Sequence, residues 1–243
     1  MKITAIIQAR MGSTRLPGKV LKDLQGETAL ARVLARLRRA ATIGEVIVAT
    51  SNTPGDDVIV AECKRLKTNA FRGEENDVLD RYYQAAQFSK AEVVVRITAD
   101  CPLIDPEVVD ETVTTFLHER PDYASNTLVR TYPRGLDTEV FSMQALEIAW
   151  REAAQPYQRA HVTPYIYQNP ERFKVLAVKG EQNYGDLRWT LDTEPDLEFL
   201  RAVYSRLGGR DTLGWRDVLR LLEREPSLSE INRHVAQKAL HEG

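Results

Sequence analysis

Arg10, Arg15 and Lys19 stand close together in the stretch AIIQARMGSTRLPGKVL, residues 5–21, with Gly12, Pro17 and Gly18 between them. Guanidinium and ammonium groups meet phosphate oxygens through charge-assisted hydrogen bonds. Glycines let backbone N–H groups come close to a ligand or take positive φ. A stiff, cationic, glycine-punctuated loop directly after an apolar strand therefore suits a triphosphate. It is not a Walker A loop, which needs Ser or Thr after its Lys where this chain has Val20, and it is not G-x-G-x-x-G. Charge alone leaves open a surface loop with solvated cations.

Two carboxylates supply a second kind of chemistry. Asp100 lies in RITADCPLIDP (96–106) and Asp192 in LDTEPDLEFL (191–200). Magnesium on a triphosphate takes hard oxygen ligands, usually one or two carboxylates, and completes its octahedron with water and phosphate. Two Asp residues at strand-to-loop junctions in distant segments could meet at one such ion. The alternative is that each caps a helix or a turn, and it is strongest for Asp192, just ahead of TEPDLE. Cys63 and Cys101 have no partners at zinc-ligand spacing, and two cysteines make no disulfide framework.

The elements that must position these groups alternate along the first half. ITAIIQ (3–8), EVIVAT (45–50) and EVVVRIT (92–98) are apolar and β-rich, with a shorter strand around Ala70. Between them, apolar residues recur at helical spacing from Thr28 to Leu37. GDDVIVAECKRL (55–66) reads as a helix with acidic residues in its first turn, where the macrodipole favours them. Further helices are expected from about 77 to 88 and, opened by Pro106, through about His118. Apolar strands alternating with amphipathic helices predict a mostly parallel sheet covered on both faces, a three-layer α/β, Rossmann-like fold. Ligands in such sheets bind beyond the strands' carboxyl ends, which ties the chemistry to the loops after Gln8, Thr50 and Thr98.

The second half is less regular. Strands are expected at 137–142 and 172–178, and helices at 143–152, 158–168, 194–207, 215–223 and 227–240. The preferred division is one domain, 1–243, with a nucleotide-binding part at about 1–125 and 186–243 and an inserted acceptor or oligomerisation lobe at about 126–185. Lys and Arg number 33 against 35 Asp and Glu, a net charge of -2, so the basic excess of a nucleic-acid binder is missing. The first apolar run is too short for a signal peptide or a membrane span. A soluble, cytoplasmic protein with no membrane or nucleic-acid partner is expected.

ARMGSTRLPGKVL resembles the signature loop of the cytidylyltransferase family, related to CMP-sugar-acid synthetases, and within it the spore-coat-polysaccharide (SpsF-type) branch. The similarity spans nearly the whole chain and is strongest over 5–21 and 93–106. It implies a nucleotidyltransferase that joins a nucleoside monophosphate, from CTP, to a sugar or sugar acid and releases pyrophosphate. It places Gln8, Ala9, Arg10, Gly12, Ser13, Arg15 and Lys19 on the nucleotide, with Arg10, Lys19 and Asp100 as the catalytic residues. Asp100 and Asp192 match the family's two metal ligands, implying Mg²⁺. Asp105 and Asp196 then cap the helices that follow, and Cys101 is inert.

In the family the segment matching FRGEENDVLDRYYQAA (71–86) passes the nucleobase, with an acidic–Arg pair that Asp80 and Arg81 fit; Gly73 would allow close approach to the base. A solvated helix face remains an equal alternative for Asp80 and Arg81. Thr50, Ser51 and Asn52 could border the base or ribose. PRGLDTEVFS (133–142) and QRAHVTPYIYQNP (158–170) resemble branch motifs, although Ala160 stands where Glu is common. Arg134, Asp137, Glu139, Arg159 and His161 are therefore acceptor candidates, and His161 has a structural role as its alternative. Trp189 and Tyr184 read as packing residues. Relatives are often dimers, so a homodimer is a further expectation. A glycosyltransferase of related fold should carry Asp-x-Asp, but Asp100 is followed two residues on by Pro102. A non-catalytic nucleotide-binding subunit is the third possibility, disfavoured by the presence of both aspartates.

Overall fold

The structure is a computed structural model that describes residues 1–238. The chain runs β1 (Ile3–Gln8), α1 (Ala29–Leu37), β2 (Glu45–Ser51), α2 (Asp57–Arg65), β3 (Asn69–Gly73), α3 (Val78–Ser89), β4 (Val93–Thr98) and α4 (Pro106–Glu119). It continues through β5 (Tyr123–Ser125), β6 (Glu139–Ser142), α5 (Met143–Glu152), α6 (Pro156–His161), α7 (Pro164–Tyr167) and β7 (Val175–Ala177). Three helices follow: α8 (Glu194–Arg206), α9 (Trp215–Arg224) and α10 (Ser227–Glu230).

The strands form one seven-stranded sheet in the order β3-β2-β1-β4-β6-β5-β7. β1, β2, β3 and β4 are parallel, while β6 runs antiparallel to β4 and β5. The mostly parallel, Rossmann-like α/β architecture expected from the sequence is thus present. β1 and β4 alternate their side chains between two cores, as a strand must. Ala5, Ile7, Val93, Val95 and Ile97 face α1, α2 and α4, whereas Ile6 and Val94 face α3 and α5. A third cluster joins Leu16 of the cationic loop and Leu24 just beyond it to Trp189, Leu191 and α8–α9.

Helix starts follow local chemistry. The Thr28, Asp77, Asp105 and Ser142 side chains each accept a hydrogen bond from a backbone N–H of the first turn they cap. Asp196 instead sits one turn inside α8, in a capping box with Thr193.

Three elements differ from expectation. The helix expected over 158–168 is two short ones, α6 and α7, because Val162 adopts φ 73° and Pro164 starts a new helix. The helix expected over 227–240 ends at Glu230. The buried Asn232 side chain donates to the Arg188 carbonyl and to Asp196 instead, and residues 231–238 follow as turns and irregular chain. Residues 239–240 of that expectation lie outside the described residues. β5 was not foreseen, being only three residues between α4 and a loop. Residues 126–185, set apart in the sequence as a lobe, contribute β6 and β7 to the common sheet.

Candidate active site

The cationic loop leaves β1 at the carboxyl edge of the parallel strands. Ala9 N–H bonds the Ala49 carbonyl and Ala99 N–H bonds the Gln8 carbonyl, at 3.1 and 3.0 Å, so the ends of β2, β1 and β4 are stitched together. The loop is folded, not loose. Ser13 and Gly18 N–H both reach the Met11 carbonyl, at 2.8 and 3.1 Å, and Gly18 sits at φ 68°, where glycine is favoured. Leu16 and Val20 are buried beneath it.

A residue the sequence did not single out for the site, Asp56, anchors this loop. Its carboxylate accepts from Met11 N–H at 2.8 Å, from Ser51 Oγ at 2.5 Å and from Ser51 N–H and Thr50 Oγ1, both at 3.0 Å. Burial opposes ionisation, but the donors of Ser51, Met11 and Thr50 outweigh it and hold the carboxyl below its ordinary range. Thr50 and Ser51, expected near base or ribose, have their hydroxyls engaged here. In the sequence Asp56 was indistinguishable from Asp57, one of two acids opening a helix.

Lys19 reaches inward from the same loop. Its Nζ lies 2.5 Å from Asp100 Oδ2 and 2.7 Å from Asp192 Oδ1. The two carboxylate segments are joined by backbone as well: Leu191 N–H donates to the Asp100 carbonyl at 2.8 Å. Thr98 Oγ1 donates to Asp100 Oδ1 at 2.5 Å. Arg188 Nη2 approaches Asp192 Oδ2 to 2.8 Å and Arg15 Nη2 approaches Oδ1 to 3.2 Å. Burial would lower the Lys19 pKa, yet the charges of Asp100 and Asp192 outweigh it and raise it. Asp100, likewise disfavoured by burial, is pulled below its ordinary range by Lys19 and Thr98.

Two carboxylates that converge on one ammonium can converge on another cation. Among the described residues no group of three or more His, Cys, Asp or Glu is arranged to hold a metal. A pair of carboxylates leaves several positions to water and phosphate, the donor set that suits magnesium on a nucleotide.

Other candidates fall into two groups. Arg10 is exposed and has no carboxylate partner among the described residues. Gln8 Oε1 accepts from Arg96, Ala9 is buried, Ser13 Oγ accepts from Leu16 N–H, and Gly12 lies beside Glu75. Gly73 is packed against Arg81: a Cβ there would lie 3.1 Å from Arg81 Cγ. Arg81 is fully buried, not on a solvated face, and donates to the Glu74 and Glu75 carbonyls. Asp80 accepts from Trp150 Nε1 at 2.8 Å and so ties α3 to α5.

Of the residues expected to bind an acceptor, Arg134, Asp137, Glu139 and His161 line one cavity of about 620 Å³, which also takes in Arg15 of the cationic loop. Asp137 holds Arg130 through both oxygens, at 2.6 and 3.0 Å. Glu139, buried on β6, pairs with Arg96 of β4 and accepts from Tyr123 Oη at 2.7 Å and Thr163 Oγ1 at 2.5 Å. Arg159 does not join them; it forks onto Asp77 at the start of α3. Gly135 lets this segment cross the chain near Asp192. At φ 110° its missing Cβ would stand 2.7 Å from the Trp189 carbonyl carbon. Arg188, between the two sides, also went unrecognised in the sequence; a cation four residues before Asp192 was the available signal.

The chain is similar to known proteins over nearly its whole length. A family model described as cytidylyltransferase matches residues 4–206. An uncharacterised protein of Methanocaldococcus jannaschii, MJ1063, is 40% identical over 244 residues, covering 100% of this chain and 99% of its own. The spore coat polysaccharide biosynthesis protein SpsF of Bacillus subtilis is 34% identical over 231 residues, 92% of this chain and 95% of SpsF. A solved cytidylyltransferase structure from Leptospira borgpetersenii superimposes with a TM-score of 0.91 at 34% identity, covering 98% of this chain and 100% of that one. With a family model over residues 4–206 and relatives 34% and 40% identical across nearly the whole chain, the chain belongs to the cytidylyltransferase family.

Proposed function

We propose that the protein transfers a cytidylyl group from CTP to a hydroxyl of a sugar or sugar acid, releasing pyrophosphate, in surface-polysaccharide synthesis. One observation carries the proposal: Lys19, Asp100 and Asp192 converge at the carboxyl ends of β1 and β4, beside a folded cationic loop. The resemblance of the chain to a polysaccharide-synthesis protein supports the setting.

The triphosphate lies over residues 10–19. Arg10, exposed and without a carboxylate partner among the described residues, meets its oxygens first. Lys19 exchanges its carboxylates for phosphate. Asp100 and Asp192 are the residues that would hold Mg²⁺, which when bound supplies neutralising charge to the phosphates. An acceptor hydroxyl, held in the cavity of Arg134, Asp137, Glu139 and His161, attacks the α-phosphorus in line. Its new O–P bond forms as the bond to the β-phosphate bridge breaks. Pyrophosphate leaves with that electron pair, and the hydroxyl proton passes to solvent. Preorganised cations stabilise the charge gathering on the leaving group.

The test is a screen of the four common nucleoside triphosphates against sugars and sugar acids, read as pyrophosphate. Acceptor-dependent release with CTP is expected. Nucleoside diphosphate released from a nucleotide-sugar would favour glycosyl transfer, and tight CTP binding without turnover on any acceptor would favour a non-catalytic subunit.

A further inference from the structure

The chain after α10 turns back toward the site. Asn232, buried, donates to the Arg188 carbonyl at 3.0 Å and to Asp196 Oδ1 at 2.9 Å. Gln237 Oε1 accepts from Arg188 Nη1 at 2.8 Å, and the Ala236 carbonyl accepts from Arg15 Nη1 at 3.5 Å. The two arginines that hold this segment are the two that hold Asp192. Gln237 and Lys238 then line the same 620 Å³ cavity as Asp137 and Glu139. The family model ends at residue 206, so this wall lies outside the residues that the model matches.

Charge around the cavity is unbalanced. Asp137 is taken by Arg130, Glu139 by Arg96, and Arg15 is engaged by Asp192. Arg134 and Lys238 have no carboxylate partner among the described residues. Burial, together with the neighbouring Arg130, pushes the Arg134 guanidinium below its ordinary range, as expected of a half-buried cation lacking an anion. Arg134 is half-buried, so a neutral molecule over it would leave it without a counter-charge, whereas an anionic one would offset it; Lys238 is exposed and adds a second cation to the same cavity.

Resting on the cytidylyl transfer proposed above, we infer that residues 232–238 are a wall of the acceptor site and that Lys238, with Arg134, binds an anionic group of the acceptor. Lys238 is then a specificity residue supplied from outside the region matched by the family model.

The experiment uses the full chain and two readouts. The first is hydrogen exchange of amides 232–238 with galacturonate, with 3-deoxy-manno-octulosonate and with neutral galactose, in the wild type and in Lys238→Met. Slowed exchange with an acid, absent with galactose and weakened in Lys238→Met, is expected. Exchange that neither acid slows overturns the inference, whatever the turnover. The second is pyrophosphate release. Lys238→Met should raise the acceptor KM about tenfold, the weight of one charge-assisted contact, with the CTP KM unchanged and Lys238→Arg largely restoring it. An unchanged acceptor KM, or a preferred acceptor that is neutral, also overturns it. Absence of pyrophosphate release from the wild type with any acceptor, alongside slowed exchange, refutes cytidylyl transfer while leaving the anion-binding wall intact.

Discussion

On the nucleotide side of the cleft, Lys19, Arg15 and Arg188 share Asp100 and Asp192, and donors from Met11, Thr50 and Ser51 surround Asp56. On the acceptor side, Arg134 and Lys238 face a cavity with no carboxylate of their own among the described residues. The first region is built on parallel strand ends and, apart from the exposed Arg10, is neutralised from within. The second is assembled from short strands, a positive-φ glycine and the chain that follows α10. Under the proposed function, internal pairing would preorganise a site for a charge that is always the same, the triphosphate. Under the same proposal, unmatched cations would leave the choice of acceptor to the charge the acceptor brings.

Substitutions on the two sides should therefore fail differently. The largest effect is expected for Asp100→Ala, which should cut pyrophosphate release by about 10²–10³-fold or more while circular dichroism stays native. Near-normal release would erase the distinction between a chemical side and a selecting side. Next, Gly135→Ala on the acceptor side should cost about 2–4 kcal/mol of stability in urea unfolding, since the methyl meets the Trp189 backbone at positive φ. A neutral result would mean that the crossing can relax.

Asp56→Asn tests the nucleotide side by stability, with an expected loss of about 1–3 kcal/mol at neutral pH from disrupted donors. Its sign with pH follows from the depressed native pKa of Asp56. The wild type holds that contribution above the unfolded value of about 3.9 and loses it as pH falls through the lower native one. Unfolding of Asp56→Asn should accordingly be less sensitive to acid below about pH 4; equal sensitivity would remove Asp56 as the loop's anchor. Smallest, Lys19→Met should tighten Mn²⁺ binding to nucleotide-free protein about tenfold in calorimetry, because an ammonium no longer competes for Asp100 and Asp192. Weaker or unchanged binding would mean that Lys19 holds the carboxylates together instead of competing for them.

The same division governs what could be read from the chain. β1, β2 and β4 were legible because strands buried on both faces are uninterrupted apolar runs, and Asp100 stands directly after one of them. The convergence of Asp100 and Asp192 was foreseeable only as a possibility, since it depends on the Leu191 to Asp100 backbone bond across the fold. Asp56 and Arg188 escaped because their roles come from partners distant in sequence, not from local spacing. The expected helix over 227–240 followed apolar periodicity, but a single buried amide at Asn232 redirected the chain. Arg159 shared a motif with His161 and yet serves α3, because residues two apart on a short helix point to different neighbours.

The backbone crossing at Gly135 sets a rule for engineering. There the acceptor segment passes within 2.9 Å, by its missing Cβ, of the Trp189–Thr190 peptide that leads to Asp192. An acceptor loop transplanted from another member of the family must bring a glycine to that position and keep the Trp189 path, or it will shift an aspartate it never touches. Acceptor range and nucleotide chemistry are thus separable in charge but welded in backbone, and libraries aimed at new acceptors should vary residues 127–134 and 237–238 while holding 135 and 187–192 fixed.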